Sequence, residues 1–124
     1  MFDDDDIKEK LVNEDLELSD KIYTLDEIKE IVYNVVKDKP VYEVILFGSY
    51  AKNNADEKSD LDFIIDSNDY YSSLKIFNII SDMELAFKKA IDLYEKSGLE
   101  FNHIMKDEIE RTGIVIYEDK DKRN

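Results

Sequence analysis

The chain has 124 residues, 31 of them acidic against 17 basic, for a net charge of −14 at pH 7. That length supports one domain with a real core but not a core plus a second, separate domain. The charge argues against a long nucleic-acid surface, which needs Lys and Arg to displace counterions from phosphates; a basic protein partner or plain solubility accounts for the acidity equally well.

The absence of cysteine and the single histidine exclude a disulfide framework, a thiolate metal site and the common zinc constellations. No apolar run approaches the length of a membrane span, and the amino terminus is acidic, unlike a secretory signal. The cytoplasm is the expected location.

Residues 1–23 read as an acidic tail or short helix, in which Leu11, Val12, Leu16 and Leu18 could meet a partner. Residues 24–118 read as the folded domain and residues 119–124 as a charged, frayed end. Thr24 and Glu27 form a capping-box pattern ahead of Leu25, Ile28, Ile31, Val32, Val35 and Val36, so a helix is expected there. Pro40 ends it, because proline disfavours helical geometry in the residue before it. An apolar run from Val41 to Phe47 predicts the first strand, which stops at Gly48-Ser49.

A short helical turn and an exposed loop are expected next, then a second strand from Leu61 to Ile65. Ser67, Asn68 and Asp69 offer capping side chains for a helix whose core face would be Leu74, Phe77, Ile80, Met83 and Phe87. Ala90 to Tyr94 predicts a third strand and Ser97-Gly98 a turn. A helix over Lys106 to Thr112 is expected to stop at Gly113, ahead of a last strand from Ile114 to Tyr117. His103, isolated among apolar neighbours, is expected to be structural or on the surface. The pattern predicts an α/β (α+β) fold, a small mixed sheet with helices packed mainly on one face.

The chemistry concentrates between Gly48 and Asp62. Side chains alternate along a strand, so Asp60 and Asp62 share one face while Leu61, Phe63 and Ile65 share the other. Two carboxylates in one small volume repel unless one holds a proton or a cation lies between them, and hard cations such as Mg²⁺ take oxygen ligands and leave places for phosphates. Gly48 allows close backbone approach to a ligand, and Ser49 can aim a hydroxyl at phosphate oxygens. Asp-x-Asp alone is uninformative here, since Asp3/Asp5, Asp4/Asp6 and Asp119/Asp121 repeat it. The combination with Gly-Ser at the end of one apolar run is what carries meaning.

Gly48-Ser49, ten residues, then Asp60-Leu61-Asp62 resembles the signature of the nucleotidyltransferase superfamily that shares the DNA polymerase beta fold. The run GSYAKNNADEKSDLDFII is similar to the minimal nucleotidyltransferases, or MNT-domain proteins, many of which serve as antitoxins beside a HEPN-domain partner. The resemblance implies Mg²⁺-dependent transfer of a nucleoside monophosphate, AMP from ATP, to a hydroxyl. It implies phosphate contacts from Gly48 and Ser49, metal ligation by Asp60 and Asp62, and a third carboxylate on the next strand, which Asp92 alone matches. Two mismatches stand out: Lys52 where the family often has Arg, and Asn53 where it often has Gly. Lysine is a point charge rather than a fork, so the phosphate contact that the resemblance implies for Lys52 would be a single ammonium contact.

Three readings stay open. They are an antitoxin that adenylylates a HEPN-type toxin, a transferase acting on a small hydroxylated molecule such as an aminoglycoside, and a non-catalytic acidic antitoxin that acts by binding alone.

Overall fold

Thr24 starts the first helix as its spacing predicts. In the structure, a computed structural model that describes residues 18–123, Glu27 N donates to Thr24 Oγ1 at 3.2 Å and Thr24 N donates to Glu27 Oε1 at 2.9 Å. This reciprocal cap satisfies two backbone donors at the start of α1, Leu25–Val36, whose Ile28, Val32 and Val36 are buried. Thr24→Ala is expected to lower stability by about 1 kcal/mol, read by chemical denaturation. An unchanged midpoint would show that the cap contributes nothing net.

The sheet comprises β1 (Glu43–Phe47), β2 (Leu61–Asp66), β3 (Ile91–Glu95) and β4 (Ile114–Glu118), in the order β3-β2-β1-β4. Strand β1 runs antiparallel to both β2 and β4, whereas β2 and β3 are parallel, which gives the mixed sheet expected. The parallel pair requires a crossover, supplied by α3, Ile76–Phe87. Between β1 and β2 lies α2, the single turn Gly48–Ala51.

Alternation along the strands sorts the side chains into two clusters. Val44, Leu46, Leu61, Phe63, Ile65, Ile91 and Leu93 pack with α1 and with Ile79, Met83 and Phe87 of α3. On the opposite face, Ile45, Phe47 and Ile64 pack with Leu99 and with Met105 and Ile109 of α4, His103–Thr112. The two longer helices therefore cover one face, and α4 covers part of the other. Placing α4 there leaves Asp62 and Asp92 on a face with a wall beside them.

Several local expectations are corrected. Ser67, Asn68 and Asp69 do not cap α3; Asn68 and Asp69 take φ of 51° and 67° in a turn, and a 3-10 turn, Ser73–Lys75, leads into the helix. Ser67 instead accepts from Tyr71 N at 3.0 Å and donates to the buried Glu95 carboxylate. Leu74 and Phe77 are 76% and 61% exposed, not core. The buried stripe is Ile79, Met83 and Phe87, and at about 100° per residue Phe77 lies on the far side from Ile79. Ser97 and Gly98 lie within a 3-10 segment, Lys96–Phe101. Helix α4 begins at His103 rather than Lys106, because Asn102 Oδ1 accepts from Met105 N at 3.0 Å. His103 is exposed, as expected.

Both ends of the described chain are tied to this frame. Tyr23 Oη donates to Phe87 O at 2.6 Å and Ser19 N to Lys88 O at 2.8 Å. Lys122 Nζ, within the 3-10 turn Lys120–Arg123, donates to Val36 O and Lys39 O, each at 2.9 Å. Leu11, Val12 and Leu16 lie outside the described residues; Leu18 is exposed. Among the described residues, no helix is long and apolar enough to cross a membrane.

Candidate active site

Burial of β1 fixes where Gly48 stands. Phe47, the last residue of β1, lies opposite Asp62 of β2, so the chain leaves β1 and turns into α2 directly beside that carboxylate. Gly48 has φ +75°, a region other residues rarely adopt, and a Cβ built on it would lie 2.2 Å from Asp62 Oδ2. Glycine is therefore required twice, once by the backbone and once by the aspartate. Ser49 follows in α2, half-buried, while Tyr50 anchors the turn in the core.

The loop between the two motifs is held at several points. Asn53 adopts φ 58°, so it fills a left-handed position as a glycine would. Asp56 and Ser59 close a turn, with Asp56 N donating to Ser59 Oγ at 2.8 Å and Lys58 N to Asp56 Oδ1 at 2.8 Å. The buried Lys89 donates from Nζ to Glu57 O at 2.6 Å, and Leu61 N donates to Ala90 O at 3.1 Å. This loop delivers Asp60 immediately ahead of β2, whose first residue is Leu61.

The parallel register places Asp62 next to Asp92 across β2 and β3. Asp62 is pushed up to about 7 from 3.8, mainly by burial, then by hydrogen bonding with Asp92 and by the charges of Asp92, Asp60 and Glu108. Asp92 and Asp60 are exposed, so the pair opens to solvent on the β3 side. The structure thus brings Asp62 and Asp92 together at Gly48, with Asp60 close enough to act on Asp62 through its charge. Among the described residues, no three such groups are gathered tightly enough to form a ready-made metal site.

The donor set nevertheless fits a hard divalent cation. It is all oxygen, and the negative charges of Asp92, Asp60 and Glu108 around the partly buried Asp62 raise its demand for positive charge. Lys52 is at the end of α2, its Nζ 2.5 Å from Glu108 Oε1 of α4. Glu108 is a neighbour that sequence reading missed. Only the packing of α4 on the sheet brings it there, so no local signal marks it.

Aromatic rings share this face. The Phe47 and Tyr94 centroids are 6.3 Å apart, and burial together with Asp92 and Asp62 pushes the Tyr94 hydroxyl up. A cavity of 610 Å³ lies toward the other end of the strands, floored by Ile45, Ile64 and Val115 and rimmed by Asp66, Lys96 and Lys106. Its lining does not include Asp62 or Asp92, so the larger volume and the clustered chemistry are separate.

A mixed sheet that sets a glycine-serine turn against paired aspartates on neighbouring strands is the frame of a nucleotide-transferring enzyme. The chain belongs to the nucleotidyltransferase domain family, whose profile matches residues 25–115. A Methanocaldococcus jannaschii protein assigned as a protein adenylyltransferase is 35% identical over 99 residues, covering 75% of this chain and 98% of the relative. The protein adenylyltransferase MntA of Thermococcus cleftensis is 34% identical over 80 residues, 61% of this chain and 81% of that protein.

Among solved structures, a toxin-antitoxin crystal structure with AMP-PNP matches with a TM-score of 0.62 at 16% identity, covering 77% of each chain. The complex of a tri-AMPylated Shewanella oneidensis HEPN toxin with an MNT antitoxin matches with a TM-score of 0.60 at 13% identity, covering 81% of this chain and 77% of that one. At those identities the likeness is one of fold.

Proposed function

We propose that this nucleotidyltransferase is an antitoxin that transfers AMP from ATP to a hydroxyl of a HEPN-type partner toxin in the cytoplasm and thereby neutralises it, with residues 24–118 as the catalytic unit. The observation that carries the reading is the seating of Gly48 against Asp62, with Asp92 paired to that same carboxyl group. The relatives named as protein adenylyltransferases support the donor and the protein acceptor.

In this reading Gly48 and Ser49 seat the triphosphate and Lys52 adds a cation beside it, while Asp60, Asp62 and Asp92 hold divalent metal, with Mg²⁺ as the fitting ion. Bound metal would neutralise phosphate charge and lower the barrier to attack on the α-phosphorus. The acceptor oxygen bonds to that phosphorus as the bond to pyrophosphate breaks. Asp92, exposed on β3, is placed to take the hydroxyl proton.

The test is the intact mass of the HEPN-type partner after incubation with this protein, Mg²⁺ and each nucleoside triphosphate, with Asp60→Asn as the control. The expected result is a gain of one or more AMP units from ATP alone, lost with the variant. A complex that forms and neutralises the toxin without any mass gain would instead establish inhibition by binding.

A further inference from the structure

Lys52 and Glu108 are 56 residues apart in sequence and meet at the mouth of the site. Lys52 caps the turn that begins at Gly48-Ser49, and Glu108 comes from α4 on the sheet face that carries Asp62 and Asp92. Their separation of 2.5 Å is a full ion pair, yet the side chains are 41% and 30% exposed. Pairs that remain this wet are held weakly and are exchanged readily for a stronger anion. A triphosphate seated on Gly48-Ser49 is such an anion, because it carries more charge than one carboxylate and presents several oxygens.

We propose that Glu108 is a placeholder for the nucleotide: it holds the Lys52 ammonium at the mouth of the site and yields it to the triphosphate. This rests on the nucleotide site assigned above and adds a positioning residue that acts through Lys52. The exchange makes a definite trade. With the site empty, Glu108 keeps an extended, flexible lysine in place and balances its charge. During binding, Glu108 competes with the phosphates for the same cation, so it weakens nucleotide affinity. A glutamate with only a structural role would have the opposite effect, since its removal would loosen α4 and the site together.

Calorimetric titration with AMP-PNP and Mg²⁺ separates these outcomes, using the wild type, Glu108→Gln, Lys52→Met and the double variant, each first shown to be folded by thermal melting. Glu108→Gln keeps the shape of the side chain and removes its charge; it is expected to bind about fivefold more tightly, and Lys52→Met about fivefold more weakly. In the Lys52→Met background, the gain from Glu108→Gln is expected to vanish. Unchanged or weaker binding by folded Glu108→Gln overturns the proposal. An equal gain with and without Lys52 also overturns it, because that pattern means general charge repulsion rather than exchange. Absence of binding by the wild type would remove the nucleotide site itself, and the proposal with it.

Discussion

Gly48→Ala is expected to leave a folded protein with AMP transfer lowered by at least about two decades, roughly 3 kcal/mol of transition-state stabilisation. The new methyl would stand 2.2 Å from Asp62 Oδ2 and 3.0 Å from its Cγ, so one of the two groups must move. Gly48 cannot move freely, because Phe47 is buried in β1 and Tyr50 is buried in the core on either side of it. The movable partner is the end of the Asp62 side chain. Its displacement separates the carboxyl from Asp92 and takes it out of the place where the turn and the strand converge.

The φ of +75° adds about 1 kcal/mol of backbone strain for alanine, which lowers stability without unfolding the domain. The damage therefore falls on function more than on stability. Turnover measured beside a denaturation curve checks this split. A folded Gly48→Ala enzyme with near wild-type transfer would show that Asp62 need not stand against Gly48.

Much of this frame can be read from spacing because local forces specify it. Thr24 and Glu27 announce α1, and the apolar runs that become β1, β2 and β3 lie within two residues of where they are expected. The pairing of Asp62 with Asp92 depends on a parallel register, which spacing alone does not set; the resemblance points to Asp92, and the register sets that residue beside Asp62.

The misplaced start of the third helix has a local cause. Leu74 looks like helix core only if the helix begins near Ser67, but Asn68, Asp69 and Ser73 take left-handed backbone geometry and delay it until Ile76, while Phe77, inside the helix, faces away from Ile79. A polar turn satisfied by the buried Ser67-Glu95 contact outweighs periodicity at that point. Glu108 escaped for a different reason. It belongs to the site only because α4 packs on the second face of the sheet through Met105 and Ile109.

The carboxylate proposed to hold metal is also expected to burden the fold. In the folded chain Asp62 is pushed up to about 7 from 3.8, first by burial and then by the Asp92 hydrogen bond and the surrounding negative charges. Between those values the folded state binds more protons than the unfolded state, so stability falls as pH rises through the window. Below it the cost is absent; above about 7 it is fully present.

Because the side chain is half-exposed, solvent screening limits that cost to about 1 kcal/mol at pH 8. Asp62→Asn keeps the shape and a donor toward Asp92 while removing the charge. It should therefore gain about 1 kcal/mol over the wild type at pH 8 and nearly nothing near pH 4, while transfer falls by about two decades or more. Urea denaturation of both proteins across this range checks the prediction, and the difference between them cancels the repulsion common to a chain of net charge −14. Equal differences at both pH values would mean that Asp62 does not titrate in this window. Mg²⁺ should narrow the gap at pH 8 by stabilising the wild type more than the variant, since a cation bound by the folded state alone adds to stability and Asp62 is one of its proposed ligands.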